Sequence, residues 1–339
     1  MIIGSSQKSS LVVRIPGLAL ALSVAFVSSI IGKFVPVIGT PVVCITIGVA
    51  IAAWRKPGPK FRPGIVTASK LILQISVVVL GSQLSLTQIV KVGVSSLPVM
   101  LGSLAVCLLG AYWIGRWLGI VGNLRTLIGV GTGICGASAI AAVTPIIGAA
   151  SVDVAYAIST IFLFNMTAVL TFPALGHLLG LSQHSFGLFA GTAINDMSSV
   201  VAAATTYGSV AANYAVVVKL TRTMLIIPIS LALAMVARRK LQATSDQPKI
   251  RIIRLVPWYL IGFLIVAAVN SVGLIPQSAH HNLVQISIFL IAIALSAIGL
   301  STDISTFRRT GPRPLLLGGI LWVLVSMTSL GLQILTRSL

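Results

Sequence analysis

Apolar runs of about 20 residues, the length of a membrane-spanning helix, follow one another along almost the whole chain. Strands are not expected, because the runs are too long and lack alternation. Only 8% of the residues are charged, whereas a soluble domain carries about 25%. This scarcity excludes a soluble enzyme, a nucleic-acid-binding protein and a disordered chain. The sequence therefore predicts an all-α polytopic membrane protein with the lipid bilayer as a partner and no nucleic acid.

Eleven such runs are long enough to cross a bilayer, with boundaries accurate to about four residues. They cover residues 13–32, 35–53, 66–86, 94–115, 126–147, 154–175, 186–206, 213–236, 255–272, 283–302 and 314–335. The first run lacks a small-x-small cleavage site, so we expect it to be retained as a helix. The gaps are too short for a folded soluble domain. Residues 1–339 are thus expected to form a single transmembrane domain.

The basic residues orient the predicted spans. Seventeen Lys and Arg fall in the even-numbered gaps, counting the N-terminal segment as zero, and three fall in the odd-numbered gaps and the C-terminal segment. Lys and Arg accumulate in cytoplasmic loops. We therefore expect a cytoplasmic N-terminus and an outside C-terminus. The net charge of +19 fits this orientation rather than nucleic-acid binding.

Two related motifs lie 60 residues apart: GTGICGASAIAA over Gly131–Ala142 and GTAINDMSSVVA over Gly191–Ala202. Gly, Thr and Ser at mid-membrane permit a helix to break, and its freed backbone groups then line a cavity or a substrate site. The alternative is close helix packing through small residues. The candidate substrate-binding residues of the motifs are Thr132, Gly133, Gly136, Ser138, Thr192, Ser198 and Ser199.

A second, weaker repeat relates residues 80–93 to residues 298–311, and each copy is followed by P-x-x-x-G. The first copy leaves the cytoplasm and the second returns to it, so the repeat would be inverted in the membrane. The fifth and seventh spans, in contrast, run the same way by parity. Their motifs cannot be inverted equivalents unless the span assignment is wrong there, which leaves open whether these spans are re-entrant or fully spanning.

Asp196 is one of only four acidic residues, all Asp, and lies mid-span beside Asn195. A carboxylate inside a membrane is costly and marks an ion or proton site. We expect Asp196 and Asn195 to form the site of a coupling ion, either a proton or sodium. The alternative is a structural ion pair with a neighbouring helix.

Lys219 and Arg222 lie three residues apart in the next span and so share one helix face. Two cations against one carboxylate leave positive charge, and a guanidinium is well shaped for an oxyanion. We expect Arg222 to bind an anionic substrate and Lys219 to pair with Asp196. The alternative is that both side chains extend to the outer interface.

Other chemistry is not indicated. The three cysteines and four histidines show no metal-ligand spacing, so neither a metal site nor a cofactor is expected. No P-loop motif occurs, which argues against ATP-driven transport by this chain.

The segments GTGICGASAIAA, AINDMSSVVAA and VKLTRTMLIIP resemble the signature segments of the YeiH-like sulfate exporter family of bacterial inner-membrane proteins. The resemblance covers nearly the whole chain, including GLSTDI at residues 299–304. It implies a secondary transporter in the bacterial cell membrane, related in fold to cation/proton antiporters and bile acid symporters, with crossing broken helices. It also implies a role for Asn195, Asp196, Lys219 and Arg222.

The expected function is secondary transport of a small anion, such as sulfate or a sulfonate, coupled to protons or sodium. A passive anion channel is the first alternative, which would show no stoichiometric coupling. An intramembrane enzyme is the second, but Ser198 and Ser199 lack a nearby His and no two Asp share a span. We therefore expect no enzyme activity. A homo-oligomer is compatible with the sequence.

Overall fold

A computed structural model describes residues 4–34, 39–55, 57–240, 257–301 and 312–336. Within these ranges the chain is helical and contains no strand. The helices are α1 (Gly4–Phe34), α2 (Gly39–Trp54), α3 (Arg62–Thr67), α4 (Leu73–Leu80), α5 (Leu86–Trp117), α6 (Gly122–Gly133), α7 (Ala137–Ile147), α8 (Ser151–Leu178), α9 (Gln183–Ala193), α10 (Met197–Tyr207), α11 (Ser209–Met224), α12 (Ile226–Lys240), α13 (Trp258–Ser271), α14 (Gln277–Ser301) and α15 (Pro312–Leu335).

The all-α, polytopic membrane fold is confirmed. Each predicted span overlaps one or more of these helices, and seven segments in the described ranges are long and apolar enough to cross a membrane. The proposed repeat at residues 298–311 lies mostly outside the described residues, so the inverted repeat of residues 80–93 stays a prediction.

The chain divides into two compact units. The first contains Met1–Leu86 and Tyr259–Ile304, and the second contains Thr87–Trp258 and Ser305–Leu339. The expectation of a single transmembrane domain stays a prediction.

In the first unit, α1 crosses α3 at two glycines. A Cβ on Gly17 would overlap the carbonyl oxygen of Phe61, and a Cβ on Gly64 would overlap that of Arg14. Only glycine permits this backbone approach. A π-helical turn at Ala68–Ile72 joins α3 to α4, and α14 packs against α2 and α4.

In the second unit, α9 and α10 form a helical hairpin, hairpin 2. The rings of Phe186 and Tyr207 stack with centroids 3.8 Å apart, and the Tyr207 hydroxyl donates to the carbonyl of Leu181. A continuous helix would separate Phe186 from Tyr207 by about 30 Å. The chain therefore reverses at the tip of hairpin 2, residues 194–196, so that α10 ends beside the start of α9.

Residues of α6 and α7 form a similar hairpin, hairpin 1. A Cβ on Gly131 would lie 3.0 Å from Cγ1 of Ile140. Nine residues of straight helix span about 13 Å, so the chain must fold back between these two residues. The tip of hairpin 1 is residues 134–136, between the end of α6 and the start of α7.

The two hairpins open in opposite directions along α8. Three residues separate the end of hairpin 1 from the start of this helix, and its Ile161 side chain lies against Gly131. Its far end contacts the open end of hairpin 2, where a Cβ on Gly176 would lie 2.5 Å from the ring of Phe186. Since α8 is 28 residues long, about 42 Å, it is long enough to pass both hairpins while crossing a bilayer.

The hairpins bear on the question that the sequence left open. The fifth and seventh predicted spans fold back on themselves and open in opposite directions along α8, an arrangement that in a bilayer would make them re-entrant and would remove the parity conflict between their motifs. Two hairpins add no crossing, so the sides predicted for both chain ends are unchanged. Only the segments between the hairpins change sides, and these contain no Lys or Arg.

Candidate functional site

The tips of the two hairpins touch. Gly136 has φ +68° and ψ −133°, a region open essentially to glycine alone. A Cβ there would lie 3.3 Å from Cβ of Asp196 and 3.6 Å from the carbonyl carbon of Asn195. Each tip joins the carbonyl end of one short helix to the N–H end of the next. Four helix ends, two of each polarity, therefore meet at one place.

Lys219 binds the carbonyl ends at both tips. Its Nζ donates to the carbonyl of Ile134 in tip 1 at 3.2 Å and to those of Ile194 and Gly191 in hairpin 2 at 2.5 and 3.4 Å. Cations stabilise the negative end of a helix. The side chain is fully buried, which is incompatible with extension to the interface. The expected pairing with Asp196 is replaced by these backbone contacts.

Arg222, one helical turn further along α11, binds tip 1 alone. Its Nε donates to the carbonyl of Gly133 at 2.7 Å. The guanidinium is fully buried, and Nη1 and Nη2 donate no hydrogen bond to any part of the chain that the structure describes. A buried charged donor without a partner is costly. The two Nη groups are therefore charged hydrogen-bond donors at the tips that have no described acceptor.

Asp196 is the N-cap of α10. Its carboxylate accepts from the Ser199 backbone N–H at 2.8 Å and from the Ser199 hydroxyl at 2.9 Å. The Ser198 hydroxyl donates to it as well. The residue is half-buried, and it neutralises an N–H end in the way an N-cap does. Ser198 and Ser199 are thereby explained as partners of Asp196.

The neighbouring Asn195 is buried and is held by a residue that the sequence analysis missed. Its backbone N–H donates to Oδ1 of Asn165 at 2.9 Å, whereas its own side-chain oxygen accepts from no described residue. Asn165 is the fifteenth of the 28 residues of α8, which puts the tips near the middle of that helix. An Asn inside an apolar helix was the available signal.

Of the remaining predicted site residues, one is exposed and two are buried. Ser138, in the first turn of α7, is exposed, and the N-cap of α7 supplies no side-chain acceptor. Thr132 is buried in hairpin 1. Thr192 is buried against α15, where its hydroxyl is 2.6 Å from that of Ser329. Thr192 therefore holds hairpin 2 against α15 and does not face the tips.

Two opposed helical hairpins with buried charges at their tips define a class: polytopic membrane proteins with a polar site built from helix ends. The family model of conserved hypothetical protein 698 matches residues 16–318. The chain therefore belongs to that family.

Relatives of similar length support the assignment. UPF0324 membrane proteins of Streptococcus pyogenes, Streptococcus agalactiae and Streptococcus pneumoniae are 42%, 40% and 40% identical to the chain. The alignments cover 95%, 94% and 94% of this chain and 97%, 97% and 96% of the relatives. The protein is thus a multi-pass membrane protein of a family found in bacteria.

Proposed function

We propose that the protein is a secondary transporter of a small oxyanion, bound at the hairpin tips. The carrying observation is Arg222, whose two Nη groups are buried at tip 1 without a described partner. Two parallel donors match two oxygens of one carboxylate, sulfonate or sulfate. Lys219, Arg222 and Asp196 together leave one positive charge, which favours an anion.

Burial of the site favours a carrier over a channel. Lys219 and Arg222 are both fully buried, so no open water path reaches them in this conformation. An anion could then enter only after the tips or the surrounding helices move, which is the defining step of alternating access. Sulfate or a sulfonate is the proposed substrate class, in line with the family that the motifs resemble, and no enzyme activity is proposed.

Flux measurements test the carrier. Protein reconstituted into liposomes should take up radiolabelled sulfate or methanesulfonate with saturation, and unlabelled anion inside the vesicles should accelerate the uptake. A non-saturating conductance without this acceleration would instead identify a channel. Absence of flux for both anions would contradict the proposed substrate class.

Asp196 is the proposed coupling carboxylate, with Asn195 beside it and a proton or sodium as the ion. Asp196→Asn should preserve the cap, because the amide oxygen can still accept from the Ser199 backbone N–H, and the Ser199 hydroxyl can rotate to accept from the amide nitrogen. We expect normal insertion and surviving anion exchange but loss of uptake driven by a proton or sodium gradient. Asp153→Asn, in the first turn of α8, is the matched control. Gradient-driven uptake by Asp196→Asn at the control level would exclude this role.

A further inference from the structure

The first unit contains a basic groove, lined by residue 14 and by residues within 59–71. The groove, of about 490 Å³, is lined by three cations and by apolar side chains. The cations are Arg14 of α1, Arg62 at the start of α3, and Lys70 in the π-helical turn. Arg14 is half-buried, and Arg62 and Lys70 are exposed. None of the residues that line the groove is acidic.

The glycine crossing builds this groove. Gly17 and Gly64 let the backbones of α1 and α3 touch. Arg14 of α1 therefore lies directly beside the start of α3, with no side chain between the two backbones. Arg62, Val66 and Lys70 recur every four residues and so share one face. Val66 and Leu71 line the same groove and are 41% and 42% exposed. Positive charge and uncovered apolar surface are therefore continuous.

We propose that this groove binds an anionic phospholipid. The three cations would hold the phosphate of the headgroup, and Val66 and Leu71 would contact the acyl chains. A free phosphate would bind the three cations but would leave the side chains of Val66 and Leu71 uncovered. The segment is predicted to face the cytoplasm, where basic clusters beside a membrane helix recruit anionic lipids.

Lipid retention tests the proposal. The full chain is purified in detergent with equal amounts of phosphatidylglycerol and phosphatidylcholine, and native mass spectrometry counts the lipids that remain bound. Wild type should retain phosphatidylglycerol selectively. Each of Arg62→Gln and Lys70→Gln should weaken retention roughly fivefold, and Arg14→Gln combined with both should abolish selectivity. Arg116→Gln, an exposed Arg on the same predicted side, is the matched control and should behave as wild type.

Two outcomes overturn the proposal. Selectivity for phosphatidylglycerol that persists in the triple variant would place the lipid elsewhere. Thermal stabilisation by inorganic phosphate that equals that by phosphatidylglycerol, and that is lost in Arg62→Gln and Lys70→Gln, would identify a free-anion site in the groove instead. The two exposed single variants keep the test valid if the triple variant does not fold, because neither side chain is buried.

Discussion

The two hairpins share a shape and differ in how their tips are satisfied. Tip 2 caps its own N–H end, since Asp196 accepts from Ser198 and Ser199 of the same hairpin. Tip 1 has a glycine at the equivalent cap and depends on α11 for its cations. Hairpin 2 therefore caps its N–H end with its own side chain, whereas tip 1 combines an N–H end that no side chain caps with a guanidinium whose two Nη groups have no described partner. This asymmetry supports the proposal that the anion binds at tip 1.

The largest expected effect concerns the opposed entry of the hairpins. In a background with all three cysteines replaced by alanine, single cysteines at Val121 and Ala150, which flank hairpin 1, should be labelled from one side. Cysteines at Leu179 and Val210, which flank hairpin 2, should be labelled from the other. Eleven full crossings would instead put Val121 and Ala150 on opposite sides, and that labelling pattern would contradict the hairpins.

Lys219 is shared by both tips, so its loss should cost the most stability. Lys219→Met leaves the carbonyls of Ile134 and Ile194 without this donor, at a cost of about 3 kcal/mol. The unfolding temperature in detergent should fall by on the order of 10 °C. Lys91→Met, at an exposed position of α5, is the control. Equal unfolding temperatures for the two variants would show that the carbonyl ends do not need Lys219.

Gly136 tests the contact between the tips. Gly136→Ala forces a Cβ into a backbone region closed to alanine and against Asp196, which we expect to cost about 2–3 kcal/mol. Gly148→Ala also has a positive φ, +61°, but it lies in open space and should cost about 1 kcal/mol. Chemical denaturation compares them, and a Gly136→Ala variant no less stable than Gly148→Ala would argue against touching tips.

The breaks in the helices could be predicted from the sequence, but the reversal of the chain could not. Gly, Thr and Ser marked both motifs, and the structure breaks at residues 134–136 and 194–196. Orientation was read from Lys and Arg, and neither occurs between Thr126 and Val218. A hairpin and a crossing therefore give the same basic-residue pattern there.

The partners of the cations were also beyond the sequence. Lys219 binds backbone carbonyls at helix ends, and every residue type supplies a carbonyl, so no side-chain pattern reports it. Asp196, the acidic residue inside the preceding predicted span, is the partner that the sequence favours. The charge and shape of Arg222 predict an anion site, and its two Nη groups, which have no described hydrogen-bond partner, support that hypothesis.

Anion affinity at Arg222 tests the central claim most directly. Purified wild-type protein should unfold at a higher temperature in the presence of sulfate or methanesulfonate, and the concentration dependence gives the affinity. Arg222→Lys keeps the charge but loses the fork, so the affinity should fall about tenfold or more, while Arg116→Lys should bind as wild type does. Equal anion affinity in wild type, Arg222→Lys and Arg222→Gln would contradict the account and remove the anion from the hairpin tips.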